Sequence, residues 1–107
     1  MGEDLSAVSF IRDYIRFEFN PPPMIDGLSK VTITTPRGSA TQGDSKFANL
    51  AIGLIGSVVM AVAVKKGESF TIHFTNESVI SISLRAEDYV GPEAVLFHGP
   101  NWQLGVI

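Results

Sequence analysis

The chain has 107 residues, 45% of them apolar, a formal net charge of −3 and no cysteine. This length suits one hydrophobic core, so we predict a single domain spanning residues 1–107. The basic residues are scattered rather than arranged in a stripe, so a nucleic-acid partner is not expected. The lack of cysteine excludes a disulfide framework and a thiolate metal site, and it is compatible with the cytoplasmic location that we predict.

Residues 47–64 form an uncharged stretch of 18 residues, which is long enough for a membrane helix. Against that interpretation stand Asn49, Ser57 and the many β-branched and small residues of its second half, VVMAVAV. Two alternating strand patterns follow it directly. We therefore predict no membrane insertion.

The first third of the chain contains two predicted strands. Residues 1–9 are interpreted as a loose tail or a short helical turn. Residues 13–19 alternate in hydrophobicity, and the three prolines from Pro21 to Pro23 end that strand because they lack backbone donors. After a predicted turn at Asp26 and Gly27, residues 28–35 form the second strand.

The middle of the chain combines a loop and a short helix. Residues 36–43 (PRGSATQG) show no apolar period, which favours a long loop and a candidate lid, although a disordered surface loop is the more common outcome of such a pattern. Apolar residues then recur at helical spacing over residues 46–55. Asp44 or Ser45 is predicted to cap this helix, and Gly56 to end it in a left-handed conformation.

Three strands are predicted after the helix, and all their bulky residues have even numbers. Directly paired residues of neighbouring strands point to the same face of the sheet. The bulky residues of all three strands therefore share one face only if both connecting loops contain an odd number of residues. A three-residue loop of Lys65, Lys66 and Gly67 would pair Val62 with Phe70. The bulky residues are Val58, Met60, Val62, Val64, Phe70, Ile72, Phe74, Ile80, Ile82 and Leu84.

The opposite face of this meander carries small and polar residues around His73, its only residue that titrates near neutral pH. This pattern is typical of the solvent side of an antiparallel sheet, and it also fits a shallow binding groove or a dimer contact. Residues 101–107 are predicted to form a final strand with apolar side chains on both faces, which favours pairing in the sheet or in a subunit contact.

Charge concentrates in the segment RAEDYVGPE, where Arg85, Glu87 and Asp88 surround Tyr89. A solvated loop is the ordinary interpretation, and the alternating acidic pattern of a calcium loop is missing. Together with His73, these four residues are our candidate binding residues. No catalytic residue, metal ligand or cofactor is predicted, because no known catalytic or nucleotide-binding motif occurs.

The segments GLIGSVVMAVAV, SFTIHFTNESVISISL and RAEDYVGPEAVLF resemble a pattern of small uncharacterised bacterial β-rich domains. The resemblance covers residues 50–97 and carries no established activity. Some such domains are suspected of immunity or accessory roles beside other proteins, but for this chain the resemblance implies an uncharacterised β-rich domain and no more.

We therefore predict an α+β fold: a curled antiparallel sheet of five to seven strands with one short helix on its apolar face. The expected function is that of a non-enzymatic interaction or accessory domain, immunity-like in the sense of that resemblance, which acts as a homodimer or with a partner protein. The alternative is a small-molecule-binding protein or enzyme with a pocket near His73, the loop of residues 36–43, and the segment of Glu87, Asp88 and Tyr89.

Overall fold

The computed structural model describes residues 1–99 and Trp102. Within these residues the chain forms nine strands, one α-helix and one 3-10 turn at Ala86–Asp88. The elements are β1 (Asp4–Ile11), β2 (Tyr14–Asn20), β3 (Met24–Gly27), β4 (Val31–Thr35), β5 (Gly38–Thr41), α1 (Phe47–Gly53), β6 (Val59–Lys65), β7 (Ser69–Phe74), β8 (Val79–Ser83) and β9 (Val95–His98).

The strands form two antiparallel sheets, one with the order β1-β2-β3-β9 and one with the order β5-β4-β8-β7-β6. The predicted α+β class with antiparallel strands and one short helix is confirmed, but the single curled sheet of five to seven strands is wrong. The chain changes sheet between β3 and β4, at residues 28–30. Asp26 and Gly27 therefore lie in β3 instead of a turn, and the strand predicted for residues 28–35 begins only at Val31.

The core lies between the two sheets and receives large side chains from both. Phe17 and Ile25 come from the four-stranded sheet, while Phe70 and Ile82 come from the five-stranded one, and all four are fully buried. The ring of Phe97 on β9 meets the ring of Phe70 edge-on, with 5.6 Å between their centroids. Apolar burial of this kind is the main favourable contribution to folding.

The N-terminal segment belongs to the core structure, so the predicted loose tail is wrong for residues 4–9. β1 pairs along β2 and carries the fully buried Leu5. It also joins the other sheet, because the backbone N–H of Leu5 donates to the carbonyl of Ser57 at 2.9 Å and that of Val59 donates to Glu3 at 2.7 Å. A β-bulge after Leu5 interrupts the alternation of β1, and this irregularity hides the strand in the sequence.

The meander of β6, β7 and β8 confirms that both loops have odd lengths. Residues 66–68 connect Lys65 to its partner Ser69, so Val62 faces Ile72 rather than the predicted Phe70. The predicted loop length of three residues is correct, but the loop begins at residue 66 instead of residue 65. The second turn also has three residues, 75–77, since the N–H of Phe74 donates to the carbonyl of Ser78.

The start of β6 departs from the predicted parity. A bulge between Val59 and Ala61 places one extra residue in β6, and the side chains before it change face. Val59 is consequently buried, whereas Val58 and Met60 are exposed, so their predicted place in the buried row is wrong. Both bulges lie close to the bridge between Asp4 and Val58, where the two sheets meet.

The predicted loop of residues 36–43 is also wrong in part, because residues 38–41 form the edge strand β5. Hydroxyl pairs hold it to β4: Thr32 with Thr41 at 3.0 Å and Thr34 with Ser39 at 3.1 Å. Ala40 supplies the only buried side chain of β5. Hydroxyl pairs can hold two strands together even where apolar residues do not alternate along the chain. For this reason the sequence of residues 38–41 indicated a loop rather than a strand.

The helix predicted for residues 46–55 is confirmed as the shorter α1, which packs against β4 and β5. Its buried residues are Phe47 and Ala51, and Leu54 is buried just after it. No side chain caps it, and the Asp44 carboxylate instead accepts from the N–H of Thr41 at 2.8 Å. Gly56 has the predicted left-handed conformation, with φ of +95°.

Candidate functional site

His73 lies on the outer face of the five-stranded sheet, as predicted. Its Nε2 atom is 3.1 Å from the hydroxyl of Thr71, and its strand partners are Ala61 and Val79. No carboxylate contacts it within the part of the chain that the structure describes. The imidazole is therefore half-buried among small and hydroxyl side chains.

Asp88 belongs to a separate cluster at the end of β8. Its Oδ2 atom accepts a hydrogen bond from the Ser83 hydroxyl at 2.6 Å, and its Oδ1 atom is 3.4 Å from Nζ of Lys30. The Ser29 hydroxyl donates to its backbone carbonyl at 3.1 Å. The hydrogen bond from Ser83 holds the pKa of Asp88 below its ordinary value, with a further contribution from Lys30 against the opposing effect of burial.

The other predicted binding residues are divided between this cluster and solvent. Tyr89 is half-buried and forms a β-bridge with Ser29, so it lies beside Asp88. Arg85 and Glu87 are exposed. Asp88 and Tyr89 line an open cleft together with Lys30 and Gln42, with a volume of about 680 Å³.

The structure does not bring His73 into this cleft. Ser83, which contacts Asp88, pairs with Ser69, and Ser69 precedes His73 by four residues in β7. Four residues of extended strand correspond to roughly 13 Å. Ligand binding by Arg85, Glu87, Asp88 and Tyr89 stays a prediction, and it involves a location apart from His73.

The strongest polar cluster contains the other histidine, which sequence reasoning missed. Asp26 on β3 is only 3% exposed, although it lies on the outer face of the four-stranded sheet. Arg16 on β2 binds its carboxylate with two hydrogen bonds, at 2.8 and 3.1 Å, and Nε2 of His98 on β9 lies 2.8 Å from Oδ2. Two-point binding by arginine is strong and directional.

The charges of this cluster determine the ionisation of Asp26. Burial is the largest single influence and raises the pKa, but the hydrogen bonds and charges of Arg16 and His98 together outweigh it. The pKa of Asp26 consequently lies below its ordinary value of 3.8. Asp26 was predicted to lie in a turn because Gly27 follows it. No feature of the sequence indicated that Arg16 and His98 would be its partners.

Exposed apolar side chains concentrate between the end of α1 and the start of β6. They belong to Ile52, Ile55, Val58 and Met60, which are between 37% and 57% exposed. Four large apolar residues exposed within nine consecutive positions form an unusual concentration, since singly exposed ones are the ordinary case. We refer to these four residues as the apolar strip.

Two negative observations apply to residues 1–99 and 102. No group of three or more histidine, aspartate or glutamate side chains is placed to hold a metal ion there. The helix in this part of the chain is too short to cross a membrane.

Comparisons with known proteins give no match: no protein-family model, curated protein or solved structure shows significant similarity to the chain. The resemblance of residues 50–97 to small bacterial β-rich domains therefore stays a prediction.

Proposed function

We propose that this protein is a non-enzymatic interaction domain that self-associates through β6. The observation that carries the proposal is the apolar strip, whose last member, Met60, lies in β6. An accessory or immunity-like role beside another protein and a cytoplasmic location, both predicted from the sequence, belong to the same proposal.

β6 is the last strand of the five-stranded sheet, and beyond Val59 its outer edge has no strand partner among residues 1–99 and 102. The backbone of residues 2–5 covers this edge only as far as Val59. Within the described residues, positions 60–65 form strand pairs with β7 alone. An uncovered strand edge of this kind is a template for pairing with another strand. We refer to residues 60–65 as the β6 edge.

A second copy of the chain fits this edge by symmetry. Two β6 edges that pair antiparallel across a two-fold axis form a self-complementary contact. The two copies of Lys65 then lie at opposite ends of the shared ladder, so their charges do not meet. The small side chains of Ala61 and Ala63 face outward beside the edge and allow close approach, and Val58 and Met60 supply apolar area.

Light scattering after size-exclusion chromatography tests the proposal. The wild-type chain is expected at twice the 11.5 kDa monomer mass, with dissociation on dilution. Met60→Glu places a charge in the contact and is expected to give a monomer, because unpaired charges are costly to bury. Met60 is exposed in the monomer, so the variant should keep its fold.

Val90→Glu is the matched control, because Val90 is equally apolar and almost fully exposed at a distant turn. It should retain the dimer. Hydrogen exchange gives a second readout: those amides of residues 60–65 that point away from β7 should be protected at high protein concentration and lose protection in Met60→Glu. A wild-type chain that stays monomeric at all concentrations, or a Met60→Glu dimer, contradicts the proposal.

A further inference from the structure

A second cleft lies between three elements that are distant in sequence. The turn from β4 to β5, the helix α1 and the turn from β7 to β8 enclose a volume of about 390 Å³. Pockets for small molecules start at about 300 Å³. The cleft lies on the side of α1 that carries Leu50 and Leu54, whereas Ile52 and Ile55 of the apolar strip are exposed elsewhere.

The charge of this cleft comes from one residue. Arg37, in the β4–β5 turn, is the only charged residue that lines it among residues 1–99 and 102. Its guanidinium forms no ion pair or hydrogen bond with any residue in the part of the chain that the structure describes. A guanidinium presents a planar set of donors that matches a carboxylate. The cleft therefore offers an uncommitted cation to an anionic group.

Neutral donors complete the polar side of the cleft. Ser78 is only 3% exposed, and its N–H donates to the side chain of Asn76 at 3.1 Å. The hydroxyl of Ser78 has no hydrogen-bond partner among residues 1–99 and 102. Glu3 Oε1 is the sole buried side-chain polar atom without a partner among the described residues, so the Ser78 hydroxyl is not fully buried and can donate to a ligand in the cleft. Asn49 on α1 lines the same cleft with an exposed amide.

The remaining wall is apolar and has free space. Leu50 on α1 and Leu54 just after α1 line it, and Gly53 lies between them in the chain. A Cβ atom added to Gly53 would meet no atom within 4 Å. An apolar wall of this kind does not suit a strongly hydrated dianion, whereas it suits a short hydrocarbon chain.

We propose that this cleft binds a small organic monocarboxylate with a short apolar tail. Arg37 pairs with the carboxylate, Ser78 and Asn49 donate hydrogen bonds to it, and Leu50 and Leu54 contact the tail. The site is independent of self-association through the β6 edge, so either proposal can hold without the other.

Backbone amide NMR shifts test this site with defined probes. Hexanoate is titrated into the ¹⁵N-labelled chain, and saturable shifts are expected at the amides of Arg37, Asn49, Gly53 and Ser78. Acetate should bind more weakly because it lacks the tail, and hexanamide more weakly because it lacks the charge. Inorganic phosphate should cause no saturable shift at these amides.

Three variants separate the contributions. Arg37→Gln should weaken hexanoate binding about ten-fold, because a charge-assisted hydrogen bond is lost. Gly53→Leu should fill the cleft and abolish binding, and since leucine favours helices, α1 should persist. Arg12→Gln removes an exposed arginine from the β1–β2 turn and serves as the matched control with unchanged binding.

The outcomes are decisive in both directions. Saturable shifts that require about ten-fold more hexanoate in Arg37→Gln, disappear in Gly53→Leu and are unchanged in Arg12→Gln support the site. No saturable shift with hexanoate, equal binding of hexanamide, preferential binding of phosphate, or unchanged binding in Gly53→Leu overturns it.

Discussion

The two sheets each carry one histidine on their outer faces, but the surroundings of these histidines differ. His98 on the four-stranded sheet lies against the buried carboxylate of Asp26, which Arg16 also binds. His73 on the five-stranded sheet contacts only the hydroxyl of Thr71 among its described polar neighbours. A similar position on a sheet therefore gives a charged network in one case and an ordinary polar surface in the other.

The difference arises from strand order. Arg16 lies ten residues before Asp26 and His98 lies 72 residues after it, and the three meet because β3 lies between β2 and β9. The strand partners of His73 are Ala61 on β6 and Val79 on β8, and neither carries a charge. A histidine acquires a charged partner only where the adjacent strand supplies one at the correct register.

The largest expected effect comes from removing the shared carboxylate. Asp26→Ala should lower the free energy of unfolding by about 2–3 kcal/mol, because it leaves Arg16 and His98 without their common acceptor. Urea unfolding followed by the fluorescence of Trp102, the only tryptophan, measures this change. Asp13→Ala, at an exposed position, should change stability by less than about 0.5 kcal/mol. Equal effects of the two variants would contradict the importance of the network.

The same carboxylate, that of Asp26, should make the free energy of unfolding depend on pH. Because the pKa of Asp26 is lower in the folded chain than its ordinary 3.8, the unfolded chain binds more protons in acid. The stabilisation is complete above about pH 5 and disappears as the pH falls through 3.8 and then through the folded value.

Thermal unfolding between about pH 2 and pH 7 measures this dependence. In Asp26→Asn, the decrease in stability below 3.8 should be shallower than in the wild-type chain. Asp88, whose pKa is also lowered, accounts for part of the remaining slope. A curve for Asp26→Asn that runs parallel to that of the wild type would rule out a contribution of Asp26.

The smallest expected changes in the free energy of unfolding come from replacing each of the two histidines. His98→Ala is expected to cost about 1 kcal/mol at pH 7, since it removes a hydrogen bond to a buried carboxylate. His73→Ala should cost no more than about 0.5 kcal/mol, because its partner Thr71 can bind water instead. Parallel urea titrations of the two variants check the ranking, and a larger loss for His73→Ala would reverse the comparison.

The sequence pattern was sufficient to predict a strand where apolar and polar residues alternate without interruption. β2, β7 and β8 were predicted from their alternation, and the odd loop lengths followed from the side-chain period of two. The same reasoning failed at the bulges in β1 and β6, because one extra residue changes the face of every side chain beyond it. It also failed at β5, which hydroxyl pairs hold in place.

The candidate sites were less predictable than the strands. Asp88 and Tyr89 lie together as neighbours in sequence, so a local segment was enough to indicate them. The cleft of Arg37 and Ser78 requires a helix to pack between two turns, and the cluster of Asp26 requires three strands in one order. Each arrangement joins positions that no spacing along the chain connects.

The sequence by itself determined the strand-rich character of the chain, the position of its short helix and the parity of the β6–β8 meander, because these depend on periodicity over a few residues. Only the tertiary structure decided that the strands divide into two sheets, that Asp26 is buried between Arg16 and His98, and that Met60 faces solvent. These features depend on strand order, on register and on bulges, which are set by contacts between distant parts of the chain.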